Sequence, residues 1–267
     1  MSKARLPNAP LVEVVFEMRW ALQGEPNALP FLSTDPGFFH LIKTFPVRAD
    51  RLGFPDQRKA GEQIPYSVVA RFYPAPDRNF PLLQIGPGIF AVNQSAEYEW
   101  RAFKKQVIAA TRALLVSYPV LPNASLAPTR LELRYIDVMN QSLSGATDLV
   151  SFINANTTMR IVLPGYLQEK SVFAGEFDGR VLIQRPLKKW KSSIFAADIA
   201  SGSTSGNTIV RLESKVITDG KGIPPLRKAT PFLKDLDRWL EFARGVTSPF
   251  FKDYVTPALM NKFAARK

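Results

Sequence analysis

The side chains that could do chemistry are few. His40 is the only imidazole and cysteine is absent. A thiol nucleophile, a thiolate metal site and a zinc site with two histidines are therefore excluded, and any triad that uses histidine must use His40. That residue sits in Phe38-Phe39-His40-Leu41-Ile42, an apolar helical setting that reads as a packed or partly exposed helix residue rather than a catalytic one. Phosphate-cradling loops, dinucleotide fingerprints, nucleophile elbows and calcium loops have no match, and Gly202-Ser203-Thr204-Ser205-Gly206 reads as a flexible connection. Neither a cofactor, nor a metal, nor a catalytic residue is expected. Carboxylates remain. Glu13 and Glu17 fall on one face of a strand about 13 Å apart, too far for a glycosidase pair. Glu17 with Arg19, and Glu132 with Arg134, repeat one acid–base spacing. They suit either a salt-bridge ladder on a sheet or the polar floor of a ligand pocket.

The other chemistry is charge. The chain has 267 residues, 35 of them Lys or Arg and 23 Asp or Glu, a net charge of +12. Residues 1–125 carry 14 basic and 10 acidic groups, and residues 126–267 carry 21 and 13, so the excess lies in the second half. From Gly179 to Ala197 there is no acid, while Arg180, Arg185, Lys188, Lys189, Lys191 and Trp190 supply cations and a stacking ring. Arg211, Lys215, Lys221, Arg227 and Lys228 could extend that cluster, and Arg71, Phe72, Tyr73 and Arg78 form a weaker one. Cations interleaved with aromatics suit a phosphate backbone, so nucleic acid or another anionic partner is the first functional expectation. A small-ligand pocket between sheet and long helix, on Glu17, Arg19, Glu132 and Arg134, is the second, and a protein-interaction module the third. No helix-turn-helix, zinc finger or RNA-binding signature supports the first.

Elements must position these groups. Val12, Val14, Phe16, Met18 and Trp20 alternate with polar residues, which predicts a strand, and Leu131–Tyr135 repeats the pattern. Capped short helices follow at Asp35–Phe45 and Asp148–Asn154. Strands are predicted at Tyr66–Tyr73, Phe80–Ile85 and Ile89–Asn93. In the second half they fall at Ser171–Phe177, Val181–Arg185, Ser193–Ile199 and Thr208–Ile217, with an Asp178-Gly179 hairpin. Long amphipathic helices close each half at about 98–117 and 230–254, the second capped by Thr230 and bent or broken by Gly245 and Pro249. The order predicts an α+β fold: antiparallel sheets covered by long helices, in two tandem copies of a strand–short helix–strands–long helix unit, 1–125 and 126–267. With no signal peptide and no long apolar run, a cytoplasmic protein without membrane contact is expected, its oligomeric state left open.

With these motifs placed, the chain resembles a sporadically distributed, uncharacterised family of bacterial proteins of about this length. The matching pieces are Asn8–Val14, Met18-Arg19-Trp20, Leu83–Pro87, Val92-Asn93, Leu131–Ile136, Trp239–Ala243 and Phe250. The chain departs from that pattern at Asp137, where asparagine is frequent, and at Arg244, where histidine is frequent. The resemblance implies no activity. A patchy distribution like that of mobile-element or phage-defence genes is its only functional hint.

Overall fold

A computed structural model of the chain describes residues 8–22, 35–59, 68–95, 98–119, 126–168, 172, 177, 179–204 and 207–265. The apolar alternation of the first segment makes β1 (Leu11–Ala21), with Val14, Phe16, Met18 and Trp20 buried on one side. There follow α1 (Pro36–Arg51), β2 (Asp56–Lys59), β3 (Ala70–Tyr73), β4 (Leu82–Gly86), β5 (Ile89–Gln94) and α2 (Trp100–Ser117). The second half runs β6 (Ala127–Asn140), α3 (Gln141–Ser144), α4 (Leu149–Asn156), β7 (Arg180–Pro186), β8 (Ser193–Thr204), β9 (Asn207–Asp219), α5 (Ala229–Tyr254) and α6 (Pro257–Ala264).

The nine strands of the described residues join one antiparallel sheet in the order β2-β3-β4-β5-β1-β6-β9-β8-β7. The first strand of each half meets the other at the centre, Phe16 opposite Leu133, and the last strand of each half lies just outside it. The fold is α+β, as the order of elements predicts. One sheet face is covered: Phe45 of α1 packs edge-on against Phe72 and Phe90, and Trp239 of α5 against Phe16. Between them α2 touches both α1 and α5.

Local chemistry fixes the helix ends. Asp35 caps α1 by accepting from the Gly37 and Phe38 amides. The Tyr118 hydroxyl donates to the same carboxylate at 2.8 Å, tying the start of α1 to the end of α2. The Tyr118 ring lies so close over Gly37 that no Cβ would fit there. Asp148 and Ser151 form a reciprocal capping box on α4.

Several expectations need correction. The last long helix is not broken at Gly245 or Pro249, because its buried face, from Leu236 through Trp239, Ala243 and Thr247 to Tyr254, is anchored on both sides of them. It starts after Lys228, so Thr230 lies in its first turn and does not cap it. The Gly202–Thr204 stretch extends β8 instead of forming a loop, and Ser205 and Gly206 lie outside the described residues. So do most of the strand predicted at Ser171–Phe177 and Asp178 of the predicted hairpin; Val172 is in a turn and Phe177 in no strand. The predicted strand at 66–73 begins at Ala70, with Tyr66 and Ser67 outside the described residues. No helix among the described residues is long and apolar enough to cross a membrane.

Trp239 is fully buried, and its indole nitrogen donates to the Thr218 hydroxyl at 2.8 Å. Trp239→Ala is expected to cost about 3–5 kcal/mol, read as a lower denaturant midpoint with unchanged slope.

Candidate functional site

The sheet sorts the candidate residues by parity. Glu17, Arg19, Glu132 and Arg134 fall together on the face away from α5, and Glu17 lies directly opposite Glu132. The Arg19 guanidinium donates to Glu17 at 2.6 Å. Arg134 stands between Glu132 at 3.6 Å, Glu213 at 3.9 Å and Glu17 at 4.0 Å, and its Nε has no hydrogen-bond partner. Lys215 pairs with Glu213 at 2.7 Å, and Arg180 grips Asp198 through two bonds of 2.6 Å. Burial pushes the Glu132 carboxyl up, and Arg134 opposes that. The arrangement is a cross-strand ion-pair ladder in which acids and bases neutralise each other.

The basic stretch is split. Arg180 lies opposite Ala200, on the ladder face, and Arg185 lies opposite Phe195, on the helix side, because five residues along a strand reverse the face. Lys188, Lys189 and Lys191 are exposed in the connection between β7 and β8. Trp190 turns inward: its ring stacks on Phe242 of α5 at 5.6 Å and its indole nitrogen donates to the Gly222 carbonyl at 2.7 Å. Arg211 and Lys215 belong to the ladder. In the weaker cluster Phe72 and Tyr73 are buried in the core, and Arg58 lies over the Tyr73 ring. His40 is on the exposed side of α1.

The site that sequence reasoning missed is on the covered face. A cavity of about 210 Å³ opens between the ends of β1, β6 and β9, on one side, and α5 and α6 on the other. A bulge in the β1–β6 pairing between Leu11 and Glu13 brings Leu11 opposite Asp137, and both line it. Asp137 is 5% exposed, and among the described residues its carboxylate has neither a hydrogen bond nor an ion pair. Burial alone pushes its pKa up to about 7.

Beside it the Tyr98 and Tyr135 hydroxyls share a hydrogen bond of 2.9 Å, their rings edge to face. Burial raises both phenols, Tyr98 to about 12, so both are protonated at neutral pH. Arg244 also lines the cavity, but its guanidinium is 4.8 Å from the Trp100 ring centre, and Trp100 in turn donates to Glu241. Asp137 and Arg244 thus share one cavity. One signal for the site exists in the sequence: Asp137 stands in the same alternation phase as Leu131, Leu133, Tyr135 and Met139. Among the described residues no cluster of three or more carboxylates and imidazoles could hold a metal. No family model matches the chain and no curated protein is significantly similar to it.

Asp137 sets a pH dependence. The unfolded chain releases this proton near pH 3.8 and the folded chain near 7, so stability falls as pH rises between those values and is level above them. Asp137→Asn removes that loss. It is expected to stabilise the protein by roughly 3–5 kcal/mol at about pH 8 relative to its effect at about pH 4, where the native side chain is largely protonated as well. Denaturant unfolding of both proteins at the two pH values measures the difference; equal effects would show that Asp137 is not held uncharged by burial.

Proposed function

We propose that the protein binds a small organic molecule in the cavity between the central strands and α5. The observation that carries this reading is Asp137, a buried carboxyl without a partner among the described residues, on the wall of an otherwise mainly apolar cavity. Burying such a group costs stability unless something bound there repays it. Tyr98, Tyr135, Thr247 and Ser214 converge on the same space and supply hydroxyls for orientation. We read the role as one of binding, in which the hydroxyls orient a guest against the carboxyl. Ser248 also lines the cavity, on α5. Compounds that raise the melting temperature of the native protein are expected to lose that effect with Ser248→Trp, whose side chain fills the space. A varied panel of small organic compounds that shifts neither protein, or shifts both alike, would sink this reading.

A second reading keeps the anionic partner, most simply nucleic acid, and rests on the exposure of Arg185, Lys188, Lys189 and Lys191 at one corner of the sheet. If phosphates dock there, changing the three lysines together to alanine should flatten the slope of log affinity against log salt by about 2–3. Trp190→Ala should lower the melting temperature rather than the affinity, because its ring is engaged by Phe242. Filter binding across a salt series, with melting curves alongside, checks both.

We also infer that the two halves descend from one duplicated unit. The mirrored strand order about the β1–β6 pair, with a long helix closing each half, supports this.

A further inference from the structure

We propose that the guest of this cavity is a small organic ammonium ion, paired with Asp137 and enclosed by aromatic rings. The inference rests on the reading of the cavity as a ligand site and adds the chemical class. The carboxylate of Asp137 has no donor among the described residues, so its charge must be met from beyond them or neutralised by a proton. The walls beside it are the rings of Tyr98, Tyr135 and Phe251 with the thioether of Met260. Aromatic faces attract a cation and offer nothing to an anion, and the attraction grows when water is excluded.

Among the described residues the charged groups facing the cavity do not supply the missing partner. Arg244, from α5, lies over Trp100 and its charge is felt by Tyr98, Tyr135, Glu99 and Glu241. Lys252, also on α5, is exposed at the cavity's edge. Neither contributes to the shift of Asp137, which burial accounts for alone. On the flanking strands the nearest charged neighbours, Glu13, Arg211 and Glu213, belong to the opposite face. From α6 the cavity receives Met260. The volume, about 210 Å³, is below the ~300 Å³ at which drug-sized ligands begin. A compact amine fits that space.

When the ammonium enters, Asp137 gives up its proton to solvent and holds the cation as carboxylate. Affinity should therefore rise about tenfold per pH unit up to neutrality and level off above it. Calorimetric titration of the full chain with benzylammonium, benzyl alcohol and benzoate, three guests sharing one ring, tests the class. Benzylammonium is expected to bind at least about tenfold more tightly than either analogue near pH 7.5 and to weaken toward pH 5.5. Asp137→Asn should abolish the preference while melting no lower than the native protein, and Phe251→Leu should weaken benzylammonium more than benzyl alcohol. Binding of the alcohol or the acid as tightly as the amine, still blocked by Ser248→Trp, would overturn the ammonium and leave the ligand cavity standing. If none of the three binds up to about 10 mM, far weaker than the micromolar range of specific ligands, the ammonium is overturned as well; the compound panel then judges the cavity on its own.

Discussion

The antiparallel pairing of β1 with β6 is the constraint on which the rest of the structure depends. It is the only strand pair that joins the two halves within the described sheet, and its register runs from Leu11 opposite Asp137 to Ala21 opposite Ala127. Because side chains alternate, one register fixes two faces at once. On the covered face it sets Phe16 beside Leu133 under Trp239. On the other face the same choice sets Glu17 against Glu132 and Arg19 against Arg130. Like charges directly opposite each other are unfavourable. The apolar face wins because each large side chain it buries is worth about 1.5–3 kcal/mol, while the opposed carboxylates, buried as they are, are met by Arg19 and Arg134. The ladder is the repair: Arg19 bonds Glu17 along its own strand, Arg130 bonds Asp219 of β9, and Arg134 is shared among three acids.

The cavity follows from the same pairing. Moving outward along β6 on the covered face, the residues are Leu131, Leu133, Tyr135 and Asp137. Along α5 the matching sequence is Trp239, Ala243 and Thr247, with Ser248 adjacent, and β9 contributes Ser214. Large residues fill the space at the level of Trp239, and small ones take over beyond it. Close packing would require something bulky there. The bulge at Val12, which turns Leu11 inward and leaves Val12 half exposed, adds an apolar wall to the opening without closing it. A void with a lone carboxylate on its wall is costly to fold, and the cost is concentrated in one end of the central strand pair.

Much of the fold was legible because its signals are local. Alternation in β1 and β6, the caps at Asp35 and Asp148, and the helical spacing of Leu233 to Tyr254 each state an element within a short window. β2 was not legible: Asp56-Gln57-Arg58-Lys59 has no apolar residue, and it is a strand because β3 offers it an edge. α6 is eight residues long, and its burial of Leu259 and Phe263 is a tertiary fact. The ladder's four residues were found by spacing, yet spacing could not say that Glu17 would face Glu132, since register between distant strands is set by the core. Asp137 was visible only as an acid in the apolar phase of β6. Its meaning depends on which phase of β6 is buried, and on a bulge in another strand.

The basic excess shows why composition is a weaker guide than parity. Thirty-five cations in the chain suggest one anionic surface partner, and five of them fall in a stretch free of acids. Yet a strand sends Arg180 and Arg185 to opposite sides, and Arg180 is spent on Asp198, one residue past the end of the acid-free stretch and brought back by the β7–β8 hairpin. What remains exposed is one corner, while Trp190, the ring that would have stacked on a base, is the peg that holds that corner to α5. Charge that is neutralised across a sheet contributes to solubility and steering but specifies no partner. Charge that is buried without a partner among the described residues, as at Asp137, makes the more specific demand, because a lone carboxylate is costly to bury.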